Sequence, residues 1–264
     1  MEMKELKQVR KWGNSGGVLL PREWIGKQIQ VILIDRTNEI KKEVLDILSP
    51  FLEDIIGVYL VGSYARNEQN KESDIDIIAI SKNTKKSISS GKYNIEIYTL
   101  EGVLKTLKSN PIMIYPRLKE AKTIFNASLL QEMSQKKLTK DSFNEFLESC
   151  KRIIKINSEF INLEKDKETM DTQGVVYSLM LRLRGIYLIK TILEKKDYSL
   201  PEFKSWLSNN SKLDKKDIEI LYNIYKDERD NKKMNTKIQV QTVRELLELL
   251  KKQVEKYGKK RKTT

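Results

Sequence analysis

An α+β fold is predicted for this chain of 264 residues. A small β module comes first, then a short mixed sheet with helices, then a helical bundle. Three observations carry that prediction. An apolar run, Val58-Tyr59-Leu60-Val61, ends in Gly62-Ser63 and is followed by the alternating stretch Ser73-Asp74-Ile75-Asp76-Ile77. Well before it, Trp12-Gly13-Asn14-Ser15-Gly16-Gly17 reads as a glycine-rich turn between two strands. From Ser128 onward, apolar residues recur at helical spacing. The expected boundaries are residues 1–36 for the β module, 37–127 for the sheet domain, 128–257 for the bundle and 258–264 for a basic tail.

Composition narrows the function classes. Lys and Arg number 50 against 37 Asp and Glu, a formal net charge of +13. That balance favours polyanionic partners such as nucleotides or nucleic acid; solvated faces of a Lys-rich chain produce the same balance. There is no histidine, which rules out His–Asp–Ser triads, His-ligated zinc and a histidine general base. The single cysteine, Cys150, has no internal disulfide partner and lies in an amphipathic pattern, as core filler would. No apolar run reaches membrane-spanning length and no leader pattern opens the chain, so a cytoplasmic protein with no membrane partner is expected.

In chain order, the first segment reads as strand, glycine-rich turn, strand, a helical turn started by Pro21, and a further strand over residues 30–34. A piece of that size cannot bury a core alone, so it needs the next domain or a second copy. Lys11-Trp12-Gly13-Asn14-Ser15 and Val18-Leu19-Leu20-Pro21-Arg22-Glu23-Trp24 resemble the AbrB/MazE/SpoVT swapped-hairpin family. The resemblance implies an interlocked homodimer and DNA binding. Lys7, Arg10, Lys11 and Arg22 would then contact phosphates, which dominate DNA affinity. The alternative is a module that only dimerises, with those charges solvated. Trp12 and Trp24 read as packing residues. A helix is expected over residues 39–55, with Pro50 bending or splitting it.

The organising stretch follows. Residues 58–61 read as a buried strand, and Gly62-Ser63 as a tight turn into a helix. Free backbone N–H groups at such a turn bind phosphate; Gly62 permits close approach and the Ser63 hydroxyl adds a donor. Residues 74–80 read as a strand, so Asp74 and Asp76 share a face while Ile75 and Ile77 face the core. Paired carboxylates repel unless a cation intervenes, and a hard divalent ion, Mg2+ or Mn2+, suits oxygen ligands. Glu96, on a strand over residues 93–98, is a candidate third carboxylate. Arg66 either forks onto phosphate oxygens or forms an ion pair within the domain. Lys82, Lys85 and Lys86 fall in a polar loop, near triphosphate or simply solvated.

Gly62-Ser63, Arg66 and Ser73-Asp74-Ile75-Asp76 together resemble the signature of the DNA polymerase β-like nucleotidyltransferases, in their minimal and antibiotic-type branch. The resemblance covers residues 39–126. It implies transfer of a nucleoside monophosphate from an NTP, with ATP the expected nucleotide, to an acceptor hydroxyl. Asp74, Asp76 and Glu96 would be catalytic and metal-binding; Gly62, Ser63 and Arg66 would bind nucleotide. Two departures stand out. Asn67 replaces the usual Gly, but Asn tolerates left-handed geometry. Glu96 replaces the commoner Asp.

Helices are expected at residues 141–163, 172–193, 201–207, 215–225 and 240–257, with Ser199-Leu200-Pro201-Glu202 as a capping box and Asp214 as a cap. Arg182, Arg184 and Tyr187 on one helix, and Tyr222, Tyr225, Asp227, Glu228, Arg229 and Asp230 on another, line an acceptor pocket or merely bridge helices. A nucleotidyltransferase is therefore the primary expectation. The alternative is a DNA-binding regulator of toxin–antitoxin type, in which the transferase domain modifies or senses a partner.

Overall fold

The computed structural model describes residues 7, 9–29, 37–70, 72–164, 168–170, 173–232 and 237–258. The chain divides into two compact units, Met1–Glu43 and Val44–Thr264.

The first unit holds a hairpin of β1 (Arg10–Trp12) and β2 (Ser15–Gly17), paired Arg10↔Gly17 through Trp12↔Ser15. Gly13 adopts φ +59° at its turn, a conformation that favours glycine. The Ser15 hydroxyl donates to the Trp12 carbonyl at 3.1 Å. A single 3₁₀ turn, Arg22–Trp24, follows Pro21. No described side chain over residues 9–29 is buried. Trp12 lies over Gly17 and stays 65% exposed. The strand expected at residues 30–34, the joint at Arg36 and the basic tail past Gly258 lie outside the described residues.

Helix α1 (Thr37–Leu48) buries Val44 and Leu48 completely and ends at the Pro50-containing turn Ser49–Phe51. The second unit then builds a five-stranded sheet from β3 (Ile55–Val61), β4 (Ile75–Ser81), β5 (Lys86–Ser90), β6 (Tyr93–Thr99) and β7 (Lys122–Phe125). The one-turn helix α2 (Gly62–Ala65) leaves the end of β3. Helices α3 (Leu100–Ser109), α4 (Tyr115–Glu120) and α5 (Ala127–Ser134) flank the last strand. The sheet order is β5-β6-β4-β3-β7, with β4 parallel to β6 and antiparallel to β3.

Alternation sets the two sheet faces. On one, Tyr59, Val61, Ile78 and Ile80 pack with Val103, Leu107, Tyr115, Leu118 and Leu130 of α3, α4 and α5. On the other, Val58, Leu60, Ile75, Ile77, Ile95 and Ile97 are all buried. Strand β5 departs from the polar loop expected over its first residues. Its only apolar residue is Ile88, yet it pairs fully with β6 as an edge, and Lys86 lies 4.9 Å over the Phe51 ring rather than toward the Gly62 turn. β7 is the expected opposite edge, pairing antiparallel with β3.

The remaining helices are α6 (Asn144–Leu163), α7 (Gln173–Leu193), α8 (Leu200–Asn210), α9 (Lys215–Arg229) and α10 (Val240–Gly258). Two short strands, β8 (Thr169–Met170) and β9 (Ile238–Gln239), pair between them. These helices share one apolar core, which includes Phe143, Cys150, Leu183, Phe203, Leu221 and Leu250. Leu138 and Ile192 touch both this core and the core over the sheet. Asp214 caps α9 by accepting from Asp217 N at 2.7 Å. Ser199 likewise caps α8, but the reciprocal half of the expected box is missing because the Glu202 carboxylate accepts from the Tyr187 hydroxyl at 3.3 Å. Among the described residues no helix is long and apolar enough to cross a membrane.

Candidate active site

The site forms where β3 turns away from β4. Val61 pairs with Asp76, so the chain leaves β3 at Gly62 directly beside that aspartate. Gly62 has φ +72°, and a Cβ added there would meet the Asp76 carboxylate. The glycine is therefore required twice, by its dihedral and by the closeness of the carboxylate. Helix α2 is a single turn. The Ser63 hydroxyl has no hydrogen-bond partner among the described residues. Asn67 takes φ 58°, as expected where the chain turns without glycine, and accepts from Lys122 Nζ at 2.6 Å.

Asp74 sits just ahead of β4 and is exposed; Asp76 lies one pair in and is half-buried. The loop before them is locked locally. Ser73 and Asn70 exchange hydrogen bonds, Asn70 N donating to Ser73 Oγ at 2.9 Å and Ser73 Oγ donating to Asn70 Oδ1 at 3.1 Å. Burial pushes the Asp76 carboxyl above the usual carboxylate range. The Arg117 and Arg66 guanidiniums pull it down, and the charges of Asp74 and Glu120 push it further up. Asp76 thus carries a charge in a place that disfavours one, beside a second carboxylate.

Register places the third candidate. Asp76 is opposite Asn94 and Ile78 is opposite Glu96, so Glu96 shares the face of Asp76 two pairs farther along. Its carboxylate pairs with Arg117 at 3.6 Å. Among the described residues no three His, Cys, Asp or Glu side chains gather closely enough to hold an ion by themselves. The donor set that remains, the hard oxygens of Asp74 and Asp76 in mutual repulsion, suits a divalent cation that takes its other ligands from elsewhere.

Two residues here escaped sequence reading, and both stand on α4. Glu120 accepts from the Gly62 N–H at 3.1 Å and from Arg66 Nη1 at 2.9 Å through each oxygen. Arg66 also donates from Nε to Glu68 at 2.7 Å. Of the two readings open for Arg66, the structure supplies the ion pair. Arg117, one turn back on α4, faces Glu96 and acts on Asp76. Neither residue belongs to a local motif; only the position of α4 brings them in.

The helical candidates divide. Tyr187 is 3% exposed and packs on Phe203 and Trp206, within the core. Arg182 lies 5.7 Å over the Phe146 ring. Arg184 instead lies 5.2 Å over Tyr198, near Tyr222 and Tyr225. Arg229 and Asp230 pair with each other at 2.8 Å. In the first unit, Lys7 and Arg22 are exposed, while the Arg10 and Lys11 side chains lie outside the described residues.

Comparison with known proteins adds the following. Residues 38–171 match the family described as nucleotidyltransferase domain. Residues 5–37 match a family provisionally described as transposon-encoded protein, a match that does not show the swapped-hairpin resemblance. A protein of Methanocaldococcus jannaschii, provisionally named protein adenylyltransferase, is 32% identical over 126 residues, spanning 46% of this chain and 85% of its own length. Among solved structures, spectinomycin adenyltransferase of Enterococcus faecialis, determined with ATP and spectinomycin, is 16% identical with a TM-score of 0.45, covering 81% of this chain and 99% of that one. A nucleotidyltransferase-like protein of Exiguobacterium sibiricum is 12% identical with a TM-score of 0.37, covering 82% and 75%.

Proposed function

The chain belongs to the nucleotidyltransferase domain family, and from that premise we propose that it transfers the adenylyl group of ATP to an acceptor hydroxyl, with Asp74 and Asp76 at the reacting phosphate. The observation that carries this reading is the placement of the Asp76 carboxylate directly against Gly62. A phosphate seated on the turn would lie beside the two carboxylates. The name of the archaeal relative favours a hydroxyl on a protein as the acceptor.

In this reading Gly62 N–H and the Ser63 hydroxyl orient the β- and γ-phosphates. Arg66, braced by Glu120 and Glu68, holds the turn and adds positive charge. Asp74 and Asp76 would hold Mg2+ or Mn2+, which when bound neutralises charge on the phosphate oxygens. The acceptor oxygen forms a bond to the α-phosphorus as the bond to pyrophosphate breaks. Glu96, kept in place by Arg117, takes the acceptor's proton. Positioning and charge neutralisation supply most of such a rate, so few residues are needed.

The N-terminal unit would bring two copies together. Trp12, Leu19 and Ile25 are 65%, 63% and 80% exposed, and no described side chain over residues 9–29 is buried, as expected of so small a piece. Lys7, Arg10, Lys11 and Arg22 would then contact DNA phosphates across the dimer, a role tested by gel shift over a salt series.

The test of the reaction is incubation of the full chain with α-labelled ATP and Mg2+, offering host-cell protein and RNA as acceptors. Label should enter an acceptor with the parent and not with Asp74→Asn/Asp76→Asn. Equal incorporation by that variant refutes the mechanism.

A further inference from the structure

Arg184 stands out among the cations of the second unit. It belongs to α7, is mostly withdrawn from solvent, and among the described residues has no carboxylate partner; its strongest neighbours are Tyr198, Tyr225 and Tyr222. Its guanidinium lies 5.2 Å over the Tyr198 ring. Burial raises the proton affinity of both Tyr198 and Tyr222, so these hydroxyls stay neutral and supply no counter-charge. Arg229 lies within electrostatic reach of Tyr225 and Tyr222 but has its own carboxylate, Asp230, at 2.8 Å. A withdrawn guanidinium without a counter-ion is costly unless a ligand brings one.

The patch is connected to the candidate active site. Tyr198 feels the charge of Arg66 as well as that of Arg184. The loop leading to Tyr198 is fastened to α4, because Lys119 donates to the Lys196 carbonyl at 2.8 Å and pairs with Asp197 at 3.1 Å. The same helix carries Glu120 and Arg117. The rings extend beyond the guanidinium: Tyr225 packs on Tyr222 at 5.8 Å and stacks on Tyr177 at 5.5 Å. A charge with flanking rings fits a ligand in which an anion sits next to a planar group.

We propose that Arg184, with Tyr198 and Tyr222, forms a subsite for an anionic group of the acceptor, a carboxylate or phosphate ester beside an aromatic or peptide plane. The proposal rests on the adenylyl-transfer reading for the word acceptor; anion binding by Arg184 stands apart from it. It also sets the substrate class: polycationic acceptors should be poor, because the charge on this patch has the wrong sign for them.

The experiment measures binding of phenyl phosphate, benzoate and neutral benzamide to the full chain by calorimetry, with folding checked by thermal melting. Phenyl phosphate and benzoate should bind at least about tenfold more tightly than benzamide. Arg184→Gln should abolish that preference, and Arg184→Lys should keep part of it. Asp74→Asn/Asp76→Asn should keep all of it. Should Arg184→Gln fail to fold, Tyr198→Phe serves instead, retaining the ring and weakening anion binding severalfold. Equal binding of benzamide, or an unchanged preference in Arg184→Gln, overturns the proposal. So does a parallel loss of ATP·Mg2+ affinity in Arg184→Gln with phenyl phosphate competing against ATP, which would assign the subsite to the nucleotide. Failure of label transfer to depend on Asp74 and Asp76 would instead overturn the catalytic reading and leave the binding result intact.

Discussion

Gly62→Ala should damage both stability and catalysis, and Gly91→Ala separates the causes. Gly91 has φ +57° with nothing within 4 Å of an added Cβ, so alanine there meets only the left-handed backbone penalty, about 1 kcal/mol. Gly62, at φ +72°, meets the same penalty. Its added Cβ would also run into Asp76 Oδ2 and lie 3.3 Å from Asp76 Cβ and Cγ. Overpacking of that kind adds roughly 1–3 kcal/mol, giving about 2–4 kcal/mol in all. Relief requires the aspartate to move, and displacement of a reacting group by about 1 Å costs on the order of a hundredfold in rate. Urea unfolding of the three proteins and turnover with labelled ATP provide the readouts. Gly91→Ala should lose about 1 kcal/mol and no activity. If Gly62→Ala matches Gly91→Ala in stability and keeps parental turnover, the carboxylate does not sit against the turn and the site argument is wrong.

Other expectations follow from single contacts. A double-mutant cycle between Arg66→Ala and Glu120→Gln should give a coupling of roughly 1–3 kcal/mol, since the pair is bidentate and largely shielded. Additive losses would mean that the pair does not brace the turn. Gly185→Ala should cost about 1–3 kcal/mol in unfolding free energy, because its Cβ would run into the Phe146 ring. Asp54 accepts from Thr84 N at 2.7 Å and from Asn83 N at 3.1 Å, and the Thr84 side-chain hydrogen bond leads the effects that hold its carboxyl below the usual range. A lowered folded-state value means stability present above the ordinary carboxylate pKa and lost as pH falls through the lowered one. The stability gap between parent and Asp54→Ala should therefore be open at neutral pH and close on acidification; a gap that persists at low pH refutes the assignment. Burial pushes the Cys150 thiol up to about 12, so at pH 8 a disulfide reagent should label it only as fast as the chain unfolds.

The parts of the site legible in the sequence were local ones. Gly62-Ser63 and Asp74-Ile-Asp76 occupy a few consecutive residues, and strand periodicity alone puts the aspartates on one side. Glu96 was placed by the same rule, with the register supplied by β6. Strand β5 was not legible, because an edge strand with one apolar residue lacks the alternation that marks a half-buried strand. Arg182, Arg184 and Tyr187 read in sequence as one polar and aromatic stripe of α7. Residues two apart on a helix do not share a face, so Arg182 and Arg184 diverge. Tyr187 continues the buried row of Met180 and Leu183, a signal the sequence did contain. Tyr198 gave none, since a tyrosine in a polar loop takes its meaning from what packs on it.

Glu120 decides the surroundings of Arg66. The resemblance implies that Arg66 is a phosphate ligand, and in the structure its guanidinium is paired with two carboxylates. Its guanidinium is engaged at Nη1 by Glu120 and at Nε by Glu68, and Glu120 in turn holds the Gly62 N–H. A phosphate arriving at the turn meets a carboxylate already on the N–H it would use. Binding is then an exchange of one anion for another, with the released Glu120 still close enough to repel Asp76 through space. Such an exchange is favourable only if the incoming group carries its own positive charge to the carboxylates, as a cation-bound polyphosphate does and a bare phosphate does not. If nucleotide binds at this turn as proposed, the arrangement would discriminate by charge state: ATP with Mg2+ should bind well, and ATP in a chelating buffer should bind poorly even though Gly62 and Ser63 are unchanged. In Glu120→Gln the anion on the turn is gone, so the bare nucleotide should gain more affinity than the metal complex. An equal gain for both would show that Glu120 shapes the turn without competing for it.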